Sequence, residues 1–259
     1  MERAAPPGRA PLVRLERVDK RFEGGVAALR GLTLEVRRGE FLSLLGPSGC
    51  GKTTALRLLS GLTRPSAGRI EWAEPVRPGD LGLVPQEPAL MPWATVARNV
   101  FLPLRLRGER FARGRGAVED AIRLVGLAGF EGTYPRALSG GMRMRVSIAR
   151  ALVTRPRLVL MDEPFAALDE ITRFRLNDDL LRLKAETGCT VVFVTHSVFE
   201  SVFLSDRVVV MTPRPGHASA EIAVDEPHPR SEAFRGSTRY AETCRAVSAA
   251  LRHATREAA

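Results

Sequence analysis

Residues 41–54, FLSLLGPSGCGKTT, constrain the fold more than any other stretch of the chain. FLSLL is a continuous apolar run, as in a strand covered on both faces. A glycine-rich turn follows, and then a helix that begins at Lys52. Gly46, Pro47, Ser48, Gly49, Cys50, Gly51, Lys52 and Thr53 fit the spacing G-x-x-x-x-G-K-[ST], in the strand–turn–helix context which that pattern requires. The glycines let backbone N–H groups converge on a phosphate at a helix N-terminus. Lys52 is placed to reach the β- and γ-phosphates of a nucleotide, with the Thr53 hydroxyl set for Mg2+ and Thr54 beside it.

The remaining strands fit around that unit. LTLEV (32–36) alternates, as a half-exposed strand does, while LGLVPQ (81–86), LVLMD (158–162), TVVFVT (190–195) and RVVVM (207–211) are apolar runs. Separated by helix-like segments, such as TTALRLLSGL after the glycine turn, they predict a parallel sheet covered on both sides. Between 87 and 154 the pattern changes. TVARNVFLPL, AVEDAIRLVGL and GGMRMRVSIARALV show helical spacing with no strand among them, which predicts a helical subdomain inserted in an α/β core. The expected organisation is one large α/β domain over 1–225, with core segments 1–86 and 155–225 and the helical subdomain 87–154, and a C-terminal piece over 226–259. EIAVD (221–225) closes the first, and the latter holds the linker EPHPR (226–230) and a segment with Tyr240, Cys244, Val247 and Leu251 at heptad-like spacing, a short amphipathic helix.

Composition excludes several classes. A chain of 259 residues with 44% hydrophobic residues can bury a full core, yet no apolar run approaches the ~18–20 residues needed to cross a bilayer. The opening MERAAPPGRAP has no apolar stretch of the kind a secretion signal needs, which predicts a cytoplasmic protein. The net charge of +10 comes almost wholly from arginine, since Lys20, Lys52 and Lys184 are the only lysines. Apart from RLRGERFARGRG (105–116) the arginines are scattered, as on a solvated surface; attraction to an anionic membrane leaflet is the more interesting alternative, ahead of DNA. Cys50, Cys189 and Cys244 form no metal pattern, and the four histidines, His196, His217, His228 and His253, lack ligand spacing. Cys50, a thiol at a helix N-terminus beside Lys52, is expected to have a lowered pKa and to react with alkylating reagents.

Two further clusters carry chemistry. LVLMD-Glu163 ends an apolar strand in two carboxylates, and strand alternation assigns them to opposite faces. Asp162 is the candidate for holding Mg2+, and Glu163 for polarising an attacking water. LSGG (138–141) is a second Ser-Gly-Gly turn opening a helix: Ser139 reads as an N-cap and the turn as an anion site. One γ-phosphate has room for one phosphate loop, so Ser139, Gly140 and Gly141 must find their phosphate elsewhere.

This set of motifs resembles the ATP-binding subunit of ABC transporters over residues 12–225. The resemblance implies a P-loop NTPase core, RecA-like, with a mostly parallel sheet, an antiparallel β portion and an inserted helical subdomain. It places Phe22 against adenine, Gln86 in the loop that contacts Mg2+ and links to the membrane subunit, Asp169 in the AALD loop (166–169), and His196 at the γ-phosphate beside Glu163. Phe22 read by itself is equally at home in a core, and so is Trp93 in PQEPALMPW (85–93), the candidate anchor for a membrane subunit. The resemblance further implies ATP and Mg2+, and a head-to-tail homodimer in which each LSGG caps the partner's ATP. Two membrane permease subunits and a solute-binding protein on separate chains, peripheral attachment at the cytoplasmic face of the membrane, and no nucleic acid complete the picture. Met142 stands where the family usually has Gln, and Ala166 where Ser or Gly is common. Met142, LMPWATVARNV, LDEITR and TPRPG together resemble the nitrate, sulfonate and taurine importer branch, some relatives of which carry pyrimidine or riboflavin-like compounds.

Two other classes compete. A soluble ABC ATPase acting on nucleic acid or ribosomes usually carries coiled-coil insertions or paired cassettes, and neither is seen in the sequence. A GTPase or small-molecule kinase leaves LSGG without a purpose, and no N-K-x-D motif occurs.

Overall fold

A computed structural model describes residues 9–228 and 230–256. The stretch Met1–Gly8, on which the expectation of no secretion signal chiefly rests, lies outside the described residues. Along the chain come β1 (Pro11–Arg21), β2 (Ala27–Arg37), β3 (Phe41–Leu45), α1 (Lys52–Leu59), β4 (Ala67–Trp72) and β5 (Leu81–Val84). Then follow α2 (Val96–Leu106), α3 (Phe111–Leu124), α4 (Gly140–Leu152), β6 (Leu158–Asp162) and α5 (Glu170–Thr187). The last are β7 (Thr190–Thr195), α6 (Val198–Leu204), β8 (Arg207–Met211), β9 (Ala218–Ala223), α7 (Glu232–Arg235) and α8 (Thr238–Arg256). These residues fall into two compact units, one holding those up to Pro75 and from Thr190 on, the other Val76–Cys189.

In the first unit β1 lies between β2 and β4 in a three-stranded antiparallel sheet. Val13 and Leu15 point inward against Val36 and Leu34 of β2, while Arg14 between them faces water, which is the period-2 pattern of a sheet with one wet face. The register breaks between Leu15 and Val18, where Arg17 takes φ +46°. The adjoining sheet is built differently. All five residues of β3 are buried, because parallel β7 and β8 flank it on both sides, and β9 closes β8 antiparallel. Each fully buried Leu or Val there contributes roughly 1.5–3 kcal/mol. The predicted helix TTALRLLSGL stops at Leu59: Gly61 turns left-handed at φ +73° and ends it.

The C-terminal helix packs back on its own unit. Cys244, Val247 and Ala254 of α8 are buried and Tyr240 and Leu251 half-buried, against α6, β8 and β9. Burial pushes the Cys244 thiol up to about 11.

In the second unit β5 and β6 pair in parallel, Leu81 opposite Leu158 and Val84 opposite Met161. Between them the described residues form helices and turns, with α2, α3 and α4 packed on one another. Thr95 caps α2 by accepting from the Arg98 N–H, and the fully buried Asn99 side chain bonds Met91, Ala94 and Thr95 of the preceding loop. Asp169 caps α5 by accepting from Thr172 N–H at 2.9 Å. Together the units show the α/β class expected, with parallel and antiparallel pairing both present.

Candidate functional site

The glycine turn of the first unit is held in place by backbone and by one amine. Gly49 and Gly51 adopt φ +76° and +102°, a region open to glycine and closed to most residues. A Cβ on Gly51 would stand 2.8 Å from the Ala28 carbonyl and 2.6 Å from Leu29 Cδ2. Gly51 therefore caps α1 with no side chain, so none of the helix's first N–H groups is spent on a side-chain cap. Lys52 is 4% exposed, and its Nζ donates to the carbonyls of Gly46 (2.7 Å) and Pro47 (3.0 Å). An amine kept out of bulk water at the start of a helix attracts an anion strongly. Ser48, Gly49 and Thr53 are exposed, and Pro47 and Thr54 are half-buried.

Cys50 departs from expectation. Its Sγ lies 3.9 Å from Lys52 Nζ, so the cationic neighbour is present, but the residue is 1% exposed. Access for an alkylating reagent is missing, because the thiol packs under Gly46, whose absent Cβ would sit 2.8 Å from it.

Phe22 directly follows β1 and is 40% exposed, with Lys20 Nζ 5.2 Å from its ring centroid. That exposure sets the core reading aside. His196 is exposed at the end of β7, one residue before Ser197, which caps α6 by accepting from the Glu200 N–H at 3.3 Å. Thr195, on its other side, donates its hydroxyl to Glu200 Oε2 at 2.6 Å, so the side chains of both neighbours of His196 are tied to Glu200.

The second unit carries the other candidates. Gln86 is exposed two residues past β5. Trp93 is 77% exposed, which removes its core reading. Ser139 is the N-cap of α4: its backbone is extended and its Oγ accepts from the Met142 N–H at 3.2 Å. That bond uses the backbone of residue 142, so the unusual methionine side chain leaves the cap intact. Gly140 and Gly141 open the helix, and a Cβ on Gly141 would come within 3.0 Å of Thr172 Cγ2.

Asp162 ends β6, and Glu163 takes φ +44°. Strand alternation therefore stops at Asp162, and the opposite-face reasoning does not extend to Glu163, which is aimed by a left-handed backbone instead. Such a conformation costs a non-glycine residue about 1–3 kcal/mol and clusters at functional positions; residue type alone gave no signal for it. Asp169 is exposed, and the Thr172 backbone N–H holds its carboxyl below the usual carboxylate range. Thr53, Gln86 and Asp162 each carry a side-chain oxygen, the ligand type that Mg2+ prefers.

Comparison with known proteins identifies the family. A family model described as ABC transporter matches residues 29–166. An uncharacterized ABC transporter ATP-binding protein of Methanocaldococcus jannaschii is 48% identical over 224 residues, covering 84% of each chain. An aliphatic sulfonates import ATP-binding protein of Pseudomonas syringae is 44% identical over 83% of this chain and 86% of its own length. Among solved structures, a dimeric post-hydrolysis ATP-binding cassette bound to ADP and Pi superposes with a TM-score of 0.73 at 30% identity, over 83% of this chain and all of that one. The chain accordingly belongs to the ABC transporter family, as an ATP-binding, ATP-hydrolysing cassette.

Proposed function

We propose that this cassette powers an importer for a small anionic or organic solute of the nitrate, sulfonate or taurine type, from the cytoplasmic face of the membrane. The observation that carries the reading is the pair of helix starts, one armed with Lys52 and the other capped by Ser139. The family resemblance and the sulfonate-import relative support it.

In this reading ATP binds at Gly46–Thr54 with its adenine on Phe22. Thr53, Gln86 and Asp162 would hold Mg2+, which would supply screening of the phosphate charge. Lys52 neutralises the β- and γ-phosphate oxygens as its amine trades the Gly46 and Pro47 carbonyls for them. Glu163 accepts a proton from the attacking water, and His196 orients that water at the γ-phosphate. Ser139, Gly140 and Gly141, with Asp169 nearby in sequence to the start of α5, act on the nucleotide of a second copy in a head-to-tail dimer. Because α4 spends one N–H on Ser139, its other first-turn donors serve the partner's γ-phosphate. Closure around ATP gives the nucleotide a higher affinity for one state of the transporter, which is how hydrolysis drives transport.

No helix among the described residues is long and apolar enough to cross a membrane. Two permease subunits are therefore part of the proposal, contacting the helical subdomain (87–154) near Gln86 and the exposed Trp93, and a solute-binding protein delivers cargo. The piece over 226–259 is proposed to stay with the ATPase domain. Reconstituting the chain with its membrane subunits in proteoliposomes tests this. ATPase activity should rise with the membrane subunits and drive anion uptake. Stimulation by nucleic acid or ribosomes in their place would contradict it.

A further inference from the structure

The TPRPG stretch, Thr212–Gly216, has no role in the catalytic reading, yet it lies against the glycine turn within the first unit. Its ends are tied together. Thr212 N–H donates to the His217 carbonyl at 3.0 Å, the His217 N–H donates to Thr212 Oγ1 at 3.1 Å, and that hydroxyl also meets His217 Nδ1 at 3.0 Å. The closed turn is then pinned to the start of β2. Gly216 N–H donates to the Ala28 carbonyl at 2.9 Å, and the Arg30 N–H donates back to the Gly216 carbonyl at 3.1 Å.

From that platform it touches the glycine turn twice. Arg214 Nε donates to the Gly49 carbonyl at 3.1 Å. Gly216 is packed so closely that a Cβ there would stand 1.9 Å from the Cys50 carbonyl oxygen, with no room to build it. Ala28, which receives the Gly216 N–H, is the residue whose carbonyl would meet a Cβ on Gly51. Gly49, Cys50 and Gly51 are thus each bounded by groups of one small assembly made of 28–30 and 212–217.

A phosphate loop works only if its carbonyls turn away from the anion and its N–H groups toward it, since a carbonyl oxygen facing a phosphate repels it. We infer that TPRPG is a brace for the phosphate loop, with Arg214 holding the Gly49 carbonyl outward and Gly216 fixing the height of Cys50, so that the loop is formed before nucleotide arrives. Arg214 is a positioning residue, acting through Gly49. The inference rests on reading Gly46–Thr54 as the phosphate loop.

The test is ATP affinity of the full chain, measured with a fluorescent ATP analogue at low and high salt. Arg214→Ala should weaken binding about tenfold, as expected for removing one charged hydrogen bond that organises the site. The weakening should be equal at both salt concentrations, and kcat at saturating ATP should fall less than threefold. Arg214→Lys, which keeps a donor for Gly49, should recover most of the affinity. Gly216→Ala should weaken binding more than Arg214→Ala. Lys52→Ala in the same series reports on the phosphate-loop reading by itself, because its effect on binding does not depend on the brace. Unchanged affinity in Arg214→Ala overturns the brace. So does a weakening that disappears at high salt, which would mark Arg214 as a distant attracting charge rather than a positioning group.

Discussion

Gly51 and Ser139 each stand one residue before a helix, and the two starts are built in opposite ways. Gly51 is left-handed, sterically boxed by Ala28 and Leu29, and caps α1 with no side chain. Ser139 is extended and exposed and caps α4 through its hydroxyl, and the nearest atom to a Cβ on neighbouring Gly140 is Leu168 Cδ2 at 3.5 Å. The first carries a buried amine held by its own carbonyls. The second has Arg143 beside it, but that guanidinium already donates to the Leu138 carbonyl at 2.7 Å. One turn is a rigid pocket complete with counter-charge; the other is an open row of donors. A rigid pocket can select a ligand alone, whereas an open row needs a ligand presented to it. That difference is what the proposed exchange between two copies requires.

The largest effect should fall on the armed turn. Lys52→Ala should weaken ATP binding by about 100-fold or more, because it removes two charge-assisted hydrogen bonds to phosphate; titration of the isolated chain measures this. Ser139→Ala in the same assay should leave affinity within twofold, since the open turn is proposed to serve another copy's nucleotide. An equal weakening in both variants would erase the distinction drawn here.

Next comes rigidity. Gly51→Ala should cost about 1–3 kcal/mol of unfolding free energy, because φ +102° and the Ala28 carbonyl both oppose it. Gly140→Ala should cost nothing, or add up to about 1 kcal/mol of helix propensity, while lowering ATPase turnover by placing a methyl group where a phosphate would approach. Urea midpoints together with turnover separate the two. A smaller effect, about 1 kcal/mol, is expected for Ser139→Ala as removal of a cap, visible as faster hydrogen exchange at Gly141 and Met142.

The smallest effects separate the units by pH. Asp169, held below its usual range by the α5 N-terminus, contributes stability above the ordinary aspartate value that is lost as pH falls through its depressed one. Cys244, raised to about 11, favours the fold below the ordinary thiol range, and that contribution is lost as pH rises toward 11. Hydrogen exchange should therefore show the start of α5 loosening in acid and α8 loosening in alkali, each trend flattened in Asp169→Asn and Cys244→Ala respectively.

What could be read from residue order follows from how local each signal is. FLSLL, TVVFVT and RVVVM are predominantly apolar, and each is a strand fully buried; Ser139 followed by two glycines is a cap that needs no tertiary information. Where the signal is not local, residue order is silent. β4, AGRIEW, is mostly exposed and carries little apolar pattern, and its place beside β1 is set by register, Leu15 opposite Ile70. Trp93 and Phe22 are large and apolar, and only the surrounding fold decides that they are exposed. Glu163's left-handed backbone and the contact of Arg214 with Gly49 both depend on where distant segments or the next turn place the chain. TPRPG is visible as a motif, but its hydrogen bond to Gly49, 165 positions earlier, is not.

The central claim is that two copies share the bound nucleotide, and one variant tests it. Glu163→Gln, impaired in accepting the proton from water, should bind Mg-ATP and hold it, and light scattering behind size exclusion should then report twice the mass of the chain, returning to the single mass without nucleotide. A strictly single mass with saturating Mg-ATP, even at high protein concentration and with the membrane subunits supplied, would contradict the account.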